Sequence, residues 1–291
     1  MCDEFTAANG DAADSGKRMT RREFAAAGAV AALAGYAPAA TAAVASGTLA
    51  ERSVEVTTPD GACDAFFVHP AKGAHPGVIL WPDALGLRDA KKIMARRLAA
   101  EGYAVLAVNQ YYRSTRAPLG LDFAAFRTPE GRARIMPLMA SLTPDATERD
   151  AKAFVAWLDA QPPVDTRRGI GAEGYCMGGA MTVRSAHAVP ARIKAGASFH
   201  GGGLVTDKPD SPHKLLPTTQ ASYLIAIARD DDAKSPSDKD TLRKAADEAR
   251  RPAEIEVYAG DHGWCVPDAP AYNKAEADRA WARLLALYSK L

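Results

Sequence analysis

The chain has 291 residues, with 36 Lys and Arg set against 35 Asp and Glu and a formal net charge of +1. Acidic and basic residues are mixed along it, which argues against a nucleic-acid footprint. The four cysteines form no C-x-x-C pair and no Cys/His spacing suited to a metal, so no metal site is expected.

The N-terminus carries Thr20-Arg21-Arg22-Glu23-Phe24, followed by an uncharged, Ala-rich run from Phe24 to Ser46. Twin arginines ahead of a mildly apolar stretch predict a Tat-type signal peptide. Small residues near Ala40–Ala45 suit cleavage of the A-x-A kind. The run is long enough to raise a membrane helix as the alternative, but its Ala, Gly and Pro content makes it poorly hydrophobic. Residues 1–45 are therefore expected to be the signal. Residues 46–291 are expected to be one exported domain, periplasmic or secreted, with the Tat machinery as a partner. About 245 residues can bury a sizeable core.

Val54–Thr57 and Cys63–His69 read as strands around the Pro59-Asp60-Gly61 turn. Gly77–Trp81 is a short apolar strand. Asp89–Glu101 fits an amphipathic helix with Asp89 as N-cap and Ile93, Met94 and Leu98 inward. Tyr103–Asn109 reads as a buried strand. Leu119–Leu142 reads as irregular, Pro-punctuated chain forming part of a cap. Asp145–Ala160 is predicted helical, with Phe154, Val155 and Leu158 inward. Strands at Gly169–Glu173, Ile193–Phe199, Ser222–Ala228 and Ala253–Tyr258 then alternate with helices at Met177–Ala188, Ser237–Arg251 and Tyr272–Tyr288. Alternation of this kind predicts an α/β fold, a mostly parallel doubly wound sheet flanked by helices.

Gly174-Tyr175-Cys176-Met177-Gly178-Gly179 lies between a strand and a helix. That is the setting of a nucleophile elbow, G-x-S-x-G, with Cys in place of Ser. Side chains at the flanking glycines would collide with neighbouring backbone, and N–H groups at the helix start face the reacting oxygen. Taken alone, the motif is equally a buried structural Cys in a Gly-rich turn. Downstream, Arg229-Asp230-Asp231-Asp232 follows one strand and Gly260-Asp261-His262-Gly263-Trp264 follows the last. Nucleophile, acid and His thus occur in the α/β-hydrolase order, each at a strand's carboxyl end. Asp231 is the expected acid, with Asp230 and Asp232 as alternatives. His200, before Gly201-Gly202-Gly203, precedes the acid and so breaks that order; it reads as a structural or supporting residue. Trp264 and Tyr111 read as pocket walls. Cys63, Cys176 and Cys265 leave an odd count after export, so a Cys63–Cys265 bridge is open but not required.

These residues resemble the dienelactone hydrolase (carboxymethylenebutenolidase) family, whose elbow reads G-Y-C-x-G-G. The similarity spans roughly Val54 to Leu291. It implies an α/β-hydrolase fold and cleavage of a small-molecule ester or lactone by a Cys176–His262–Asp231 triad through a thioester, without a cofactor. It also implies that the loop Trp81–Leu87 supplies Asp83 as an acidic contact to the resting thiol, while Ala84 and Met177 supply oxyanion-hole N–H groups. Well-studied members have Glu at the position of Asp83. They also have Arg four residues after the catalytic His, where this chain has Val266. Arg113 or Arg127 could hold a substrate carboxylate instead. A general carboxylesterase or thioesterase, a non-catalytic binding protein of the same fold, and a thiol redox protein using Cys176 and Cys265 are the competing readings. A monomer is expected.

Overall fold

The computed structural model describes residues 48–291, so the expected signal peptide lies outside the described residues. Eight strands form one sheet in the order β1-β2-β4-β3-β5-β6-β7-β8. They are β1 Leu49–Thr58, β2 Gly61–Pro70, β3 Gly77–Trp81, β4 Ala104–Val108, β5 Ile170–Tyr175, β6 Ile193–Phe199, β7 Ser222–Ala228 and β8 Ala253–Tyr258. β1 pairs antiparallel with β2, and β2 antiparallel with β4. Every pairing from β4 through β3, β5, β6 and β7 to β8 is parallel. The helices are α1 Asp89–Ala100, α2 Phe123–Arg127, α3 Pro129–Ala140, α4 Pro144–Asp159, α5 Gly178–Ala188, α6 Pro212–Leu215, α7 Arg229–Lys234, α8 Asp238–Glu248 and α9 Lys274–Tyr288.

The period of two within strands sorts the core into two layers. In β3, Ile79 and Trp81 join Phe154 and Leu158 of α4 and Met181 of α5 on one face. Val78 and Leu80 join Leu98 of α1 and Leu284 of α9 on the other. Parallel strands with both faces covered are apolar throughout, and β3 and β4 are buried at all positions.

Three local expectations are corrected. Arg88, not Asp89, occupies the N-cap of α1, and its side chain makes no cap bond. Ile93 is 53% exposed, because the buried stripe of α1 runs through Ala90, Lys91, Ala95, Leu98 and Ala99. The segment Leu119–Leu142 is largely helical. Asp122 caps α2 by accepting from the Ala125 N–H at 2.7 Å, and Thr128 caps α3 by accepting from the Gly131 N–H at 3.1 Å.

Candidate active site

The parallel strands release their chain at one edge of the sheet, and the candidate residues collect there. Asp83 and Ala84 follow β3, Tyr111 follows β4, Cys176 follows β5, His200 follows β6, Asp231 follows β7 and His262 follows β8. A cavity open to solvent is lined by Asp83, Cys176, His200 and His262. Its remaining wall includes Ala84, Leu85, Phe123, Phe126, Met139 and Val266.

The turn at Cys176 is strained. Its φ is +56°, a left-handed value that non-glycine residues seldom adopt. A methyl group on Gly174 would come within 1.9 Å of the Gly178 carbonyl oxygen. One on Gly178 would come within 2.5 Å of the Trp81 carbonyl oxygen and 2.7 Å of that of Pro82. Glycine at these two positions lets the elbow pack against the end of β3.

The three aspartates after β7 make different contacts, although Lys234 lies within 3.3 Å of Asp230 and 3.6 Å of Asp231. Asp231 Oδ2 lies 2.6 Å from His262 Nδ1. Asp230 accepts the His262 backbone N–H at 2.7 Å, fixing the loop that carries the imidazole. Asp232 pairs with Lys239 at 2.7 Å. Burial by itself lowers the pKa of His262; Asp231 and the Cys176 side chain outweigh it and lift it to about 10.

Met177 is the N-cap residue of α5, so its N–H has no intrahelical partner. The peptide ahead of Ala84 is held from the other side: the Asp83 carbonyl oxygen accepts from Gln110 Nε2 at 2.8 Å and from the Gly86 N–H at 2.9 Å. In a trans peptide the N–H points away from the carbonyl, so these bonds turn the Ala84 N–H away from Gln110. The Tyr111 hydroxyl lies 3.0 Å from the Ala84 carbonyl oxygen and 3.2 Å from Met177 Sδ, bridging both loops.

Several placements differ from expectation. Asp83 has its carboxylate occupied by Arg88 (2.7 Å) and Lys91 (2.9 Å), as well as the Leu85 N–H (3.0 Å). Burial raises its pKa, but the two cations outweigh that and hold it well below the usual carboxylate range. It is a poor acceptor for a thiol proton. Arg113 is engaged with Asp60 (2.6 Å) and Asp150 (2.7 Å), and neither it nor Arg127 lines the cavity. Trp264 is fully buried and stacks on Tyr258 at 4.8 Å between ring centroids, so it belongs to the core. Tyr111 likewise lies beneath the cavity wall.

Cys63, Cys176 and Cys265 are all free. Cys63 belongs to the core layer under α4 and α5, and Cys265 packs on the layer under α1 and α9, so the sheet separates them. Burial pushes both of those thiols up, away from the reactive thiolate form.

Sequence reasoning missed Gln110, Arg88 and Lys91. The signal for Gln110 was a polar side chain at the carboxyl end of β4. Arg88 and Lys91 carried no periodic signal, since a fully buried lysine is rare unless paired.

The dienelactone hydrolase family model matches residues 63–291. The chain belongs to the dienelactone hydrolase family. That membership makes it a carboxylic ester hydrolase with an α/β-hydrolase fold. A provisionally named carboxymethylenebutenolidase of Salmonella typhi is 26% identical over 276 residues, covering 88% of this chain and 95% of its own. The crystal structure of a dienelactone hydrolase-like promiscuous phosphotriesterase from metagenomic libraries is 26% identical. It aligns with 84% of this chain and 99% of its own at a TM-score of 0.66. A provisionally named dienelactone hydrolase from Klebsiella pneumoniae shares the fold, with a TM-score of 0.72 at 22% identity, over 84% of this chain and all of its own. Among the described residues no helix is long and apolar enough to cross a membrane.

Proposed function

We propose that this family member hydrolyses small carboxylic esters or lactones through a thioester on Cys176. The observation that carries the reading is the convergence of Cys176, on its positive-φ turn, with a His262 imidazole held 2.6 Å from Asp231, beside one cavity. His262 takes the thiol proton, and Asp231 orients the ring and stabilises its cation. The thiolate attacks the carbonyl carbon. The Ala84 and Met177 N–H groups hold the oxyanion; losing one such donor typically costs on the order of 100- to 1000-fold in rate. The carbon–oxygen bond breaks, and His262 protonates the departing oxygen. Having given its proton to the leaving oxygen, the ring then serves as base for the hydrolytic water.

The cavity wall favours uncharged substrates within this class. It carries Leu85, Phe123, Phe126, Met139 and Val266, and no Arg or Lys lines it. A substrate carboxylate would enter without a counter-charge, at a cost of several kcal/mol of the order expected for an unpaired ion. General carboxylesterase or thioesterase activity is therefore the second reading. Export of the domain through the Tat route and action as a monomer belong to the same proposal; the former rests on residues 20–46 of the sequence.

The test is hydrolysis of dienelactone and p-nitrophenyl acetate by the domain and by Cys176→Ala. Turnover of the phenyl ester that disappears in the variant supports the nucleophile, and a preference for that ester supports the uncharged class. Equal activity in both proteins removes Cys176 as the nucleophile, and none in either places both compounds outside the substrates of this hydrolase.

A further inference from the structure

His200 lines the cavity, and the proposed mechanism leaves its imidazole unused. It is 1% exposed, with φ +40°, and its backbone N–H donates to the Ala226 carbonyl oxygen at 2.8 Å. Its Nδ1 lies 3.2 Å from the Cys176 backbone nitrogen and accepts that N–H, which is shared with the Phe199 carbonyl oxygen at 3.1 Å. An accepting Nδ1 is unprotonated, so the neutral ring carries its proton on Nε2. Burial, reinforced by the neighbouring His262, holds the ring neutral.

Nε2 is buried and has no hydrogen-bond partner among the described residues. A buried donor left without a partner costs roughly 1–3 kcal/mol, so such groups mark places where a ligand completes the bonding. The ring also meets that of His262 edge-on, with centroids 4.7 Å apart. His262 is the group that delivers a proton to the leaving oxygen. The candidate oxyanion donors, Ala84 and Met177, come from the ends of β3 and β5, whereas His200 comes from the end of β6.

We infer that His200 Nε2–H is a substrate donor that holds the leaving-group oxygen of the ester. The inference rests on the reading of Cys176 as nucleophile. As the Sγ–carbon bond forms and the carbon–oxygen bond breaks, the electron pair moves onto the leaving oxygen. His262 gives that oxygen its proton. His200 keeps its own proton and donates a hydrogen bond while the charge develops. The preference that follows is for oxygen esters over thioesters, because sulfur is a weak acceptor.

Two amide substitutions separate the two nitrogens. In His200→Asn an oxygen at the δ position can still accept the Cys176 N–H, but no donor reaches the ε position. In His200→Gln the ε-amide retains a donor there and the δ acceptor is lost. Phenyl acetate and S-phenyl thioacetate differ only in the leaving atom. The ratio of their kcat/KM values is internal to each protein, so partial misfolding cancels. His200→Asn is expected to lower that ratio about tenfold, the size of one hydrogen bond, while His200→Gln keeps it within a factor of about three. Equal loss on both substrates in His200→Asn, or an equal shift of the ratio in both variants, overturns the inference and leaves His200 as a support for the elbow. Wild-type protein inert on both substrates, or Cys176→Ala as active as wild type, overturns the nucleophile and this inference together.

Discussion

Gln110 Nε2 donates to the Asp83 carbonyl oxygen at 2.8 Å, and Gln110 is buried at 1% exposure. The bond fixes the peptide whose N–H belongs to Ala84. Gln110→Leu keeps the bulk and removes the donor. Its kcat is expected to fall roughly 10- to 100-fold, below the full loss of an oxyanion donor because the Gly86 N–H still holds the same oxygen. KM should change little. A larger effect on KM than on kcat would assign Gln110 to ground-state binding.

The three aspartates at the end of β7 should differ sharply. Asp231→Asn leaves the imidazole without its charged partner and favours the wrong tautomer, as at serine triads, so kcat is expected to fall by about 10³- to 10⁴-fold. Asp232→Asn loses only its pair with Lys239 and should stay within about threefold of wild type. Asp230→Asn, which loosens the His262 loop, should fall between them. Steady-state kinetics on one ester ranks the three, and a dominant effect at Asp230 or Asp232 would reassign the acid.

Glu173 gives a stability test. It is buried in β5, where desolvation raises its pKa from 4.5 to about 7 against weaker help from Tyr175. Its Oε2 has no hydrogen-bond partner among the described residues. Between those two pH values the folded state holds a proton that the unfolded state has lost. Stability therefore falls as pH rises through that window and stays lower above it, by on the order of 3 kcal/mol. Urea unfolding of wild type and Glu173→Gln at pH 5 and pH 8 measures this. The variant should gain on wild type at the higher pH; a pH-independent difference between the two would refute the assignment.

Asp83 and Lys91 form a buried ion pair at 2.9 Å, and Lys91 Nζ also lies 4.2 Å from the centre of the Tyr175 ring. Lys91→Met should destabilise the domain by less than Asp83→Asn. The first leaves Asp83 paired with Arg88; the second leaves a buried ammonium without its counter-charge, at about 3–5 kcal/mol. Thermal unfolding midpoints order the two. Should Asp83→Asn prove the milder change, the network is not what holds this loop.

Gly178→Ala checks the contact between the Cys176 turn and the loop that bears Ala84. The added methyl would meet carbonyl oxygens of Trp81 and Pro82, which as backbone cannot swing aside. A loss of about 1–3 kcal/mol is expected from overpacking, with activity falling further than stability because the loop bearing Ala84 moves. A fully active, equally stable variant would show that the two segments are less closely packed.

Much of this protein was written in the order of its residues. Apolar strands such as Gly77–Trp81 announce themselves because a parallel strand buried on both faces has little room for polar positions. The glycines around Cys176 are legible because a strained turn packed on backbone admits no side chain. The order of Cys176, Asp231 and His262 needs only the chain. Tertiary structure decided what depends on neighbours distant in sequence. Leu119–Leu142 looked irregular because its prolines obscured the caps at Asp122 and Thr128. Arg113 looked free until Asp60 and Asp150 were brought to it, and Asp83 looked available until Arg88 and Lys91 closed on it. The sequence by itself determined the elbow, the order of the candidate triad and the alternation that builds the sheet, since these rest on local sterics and periodicity. Only the folded chain decided which aspartate meets the His262 ring, which cations are already paired and that His200 lies beside Cys176, because each is a contact between strand ends that the sheet alone brings together.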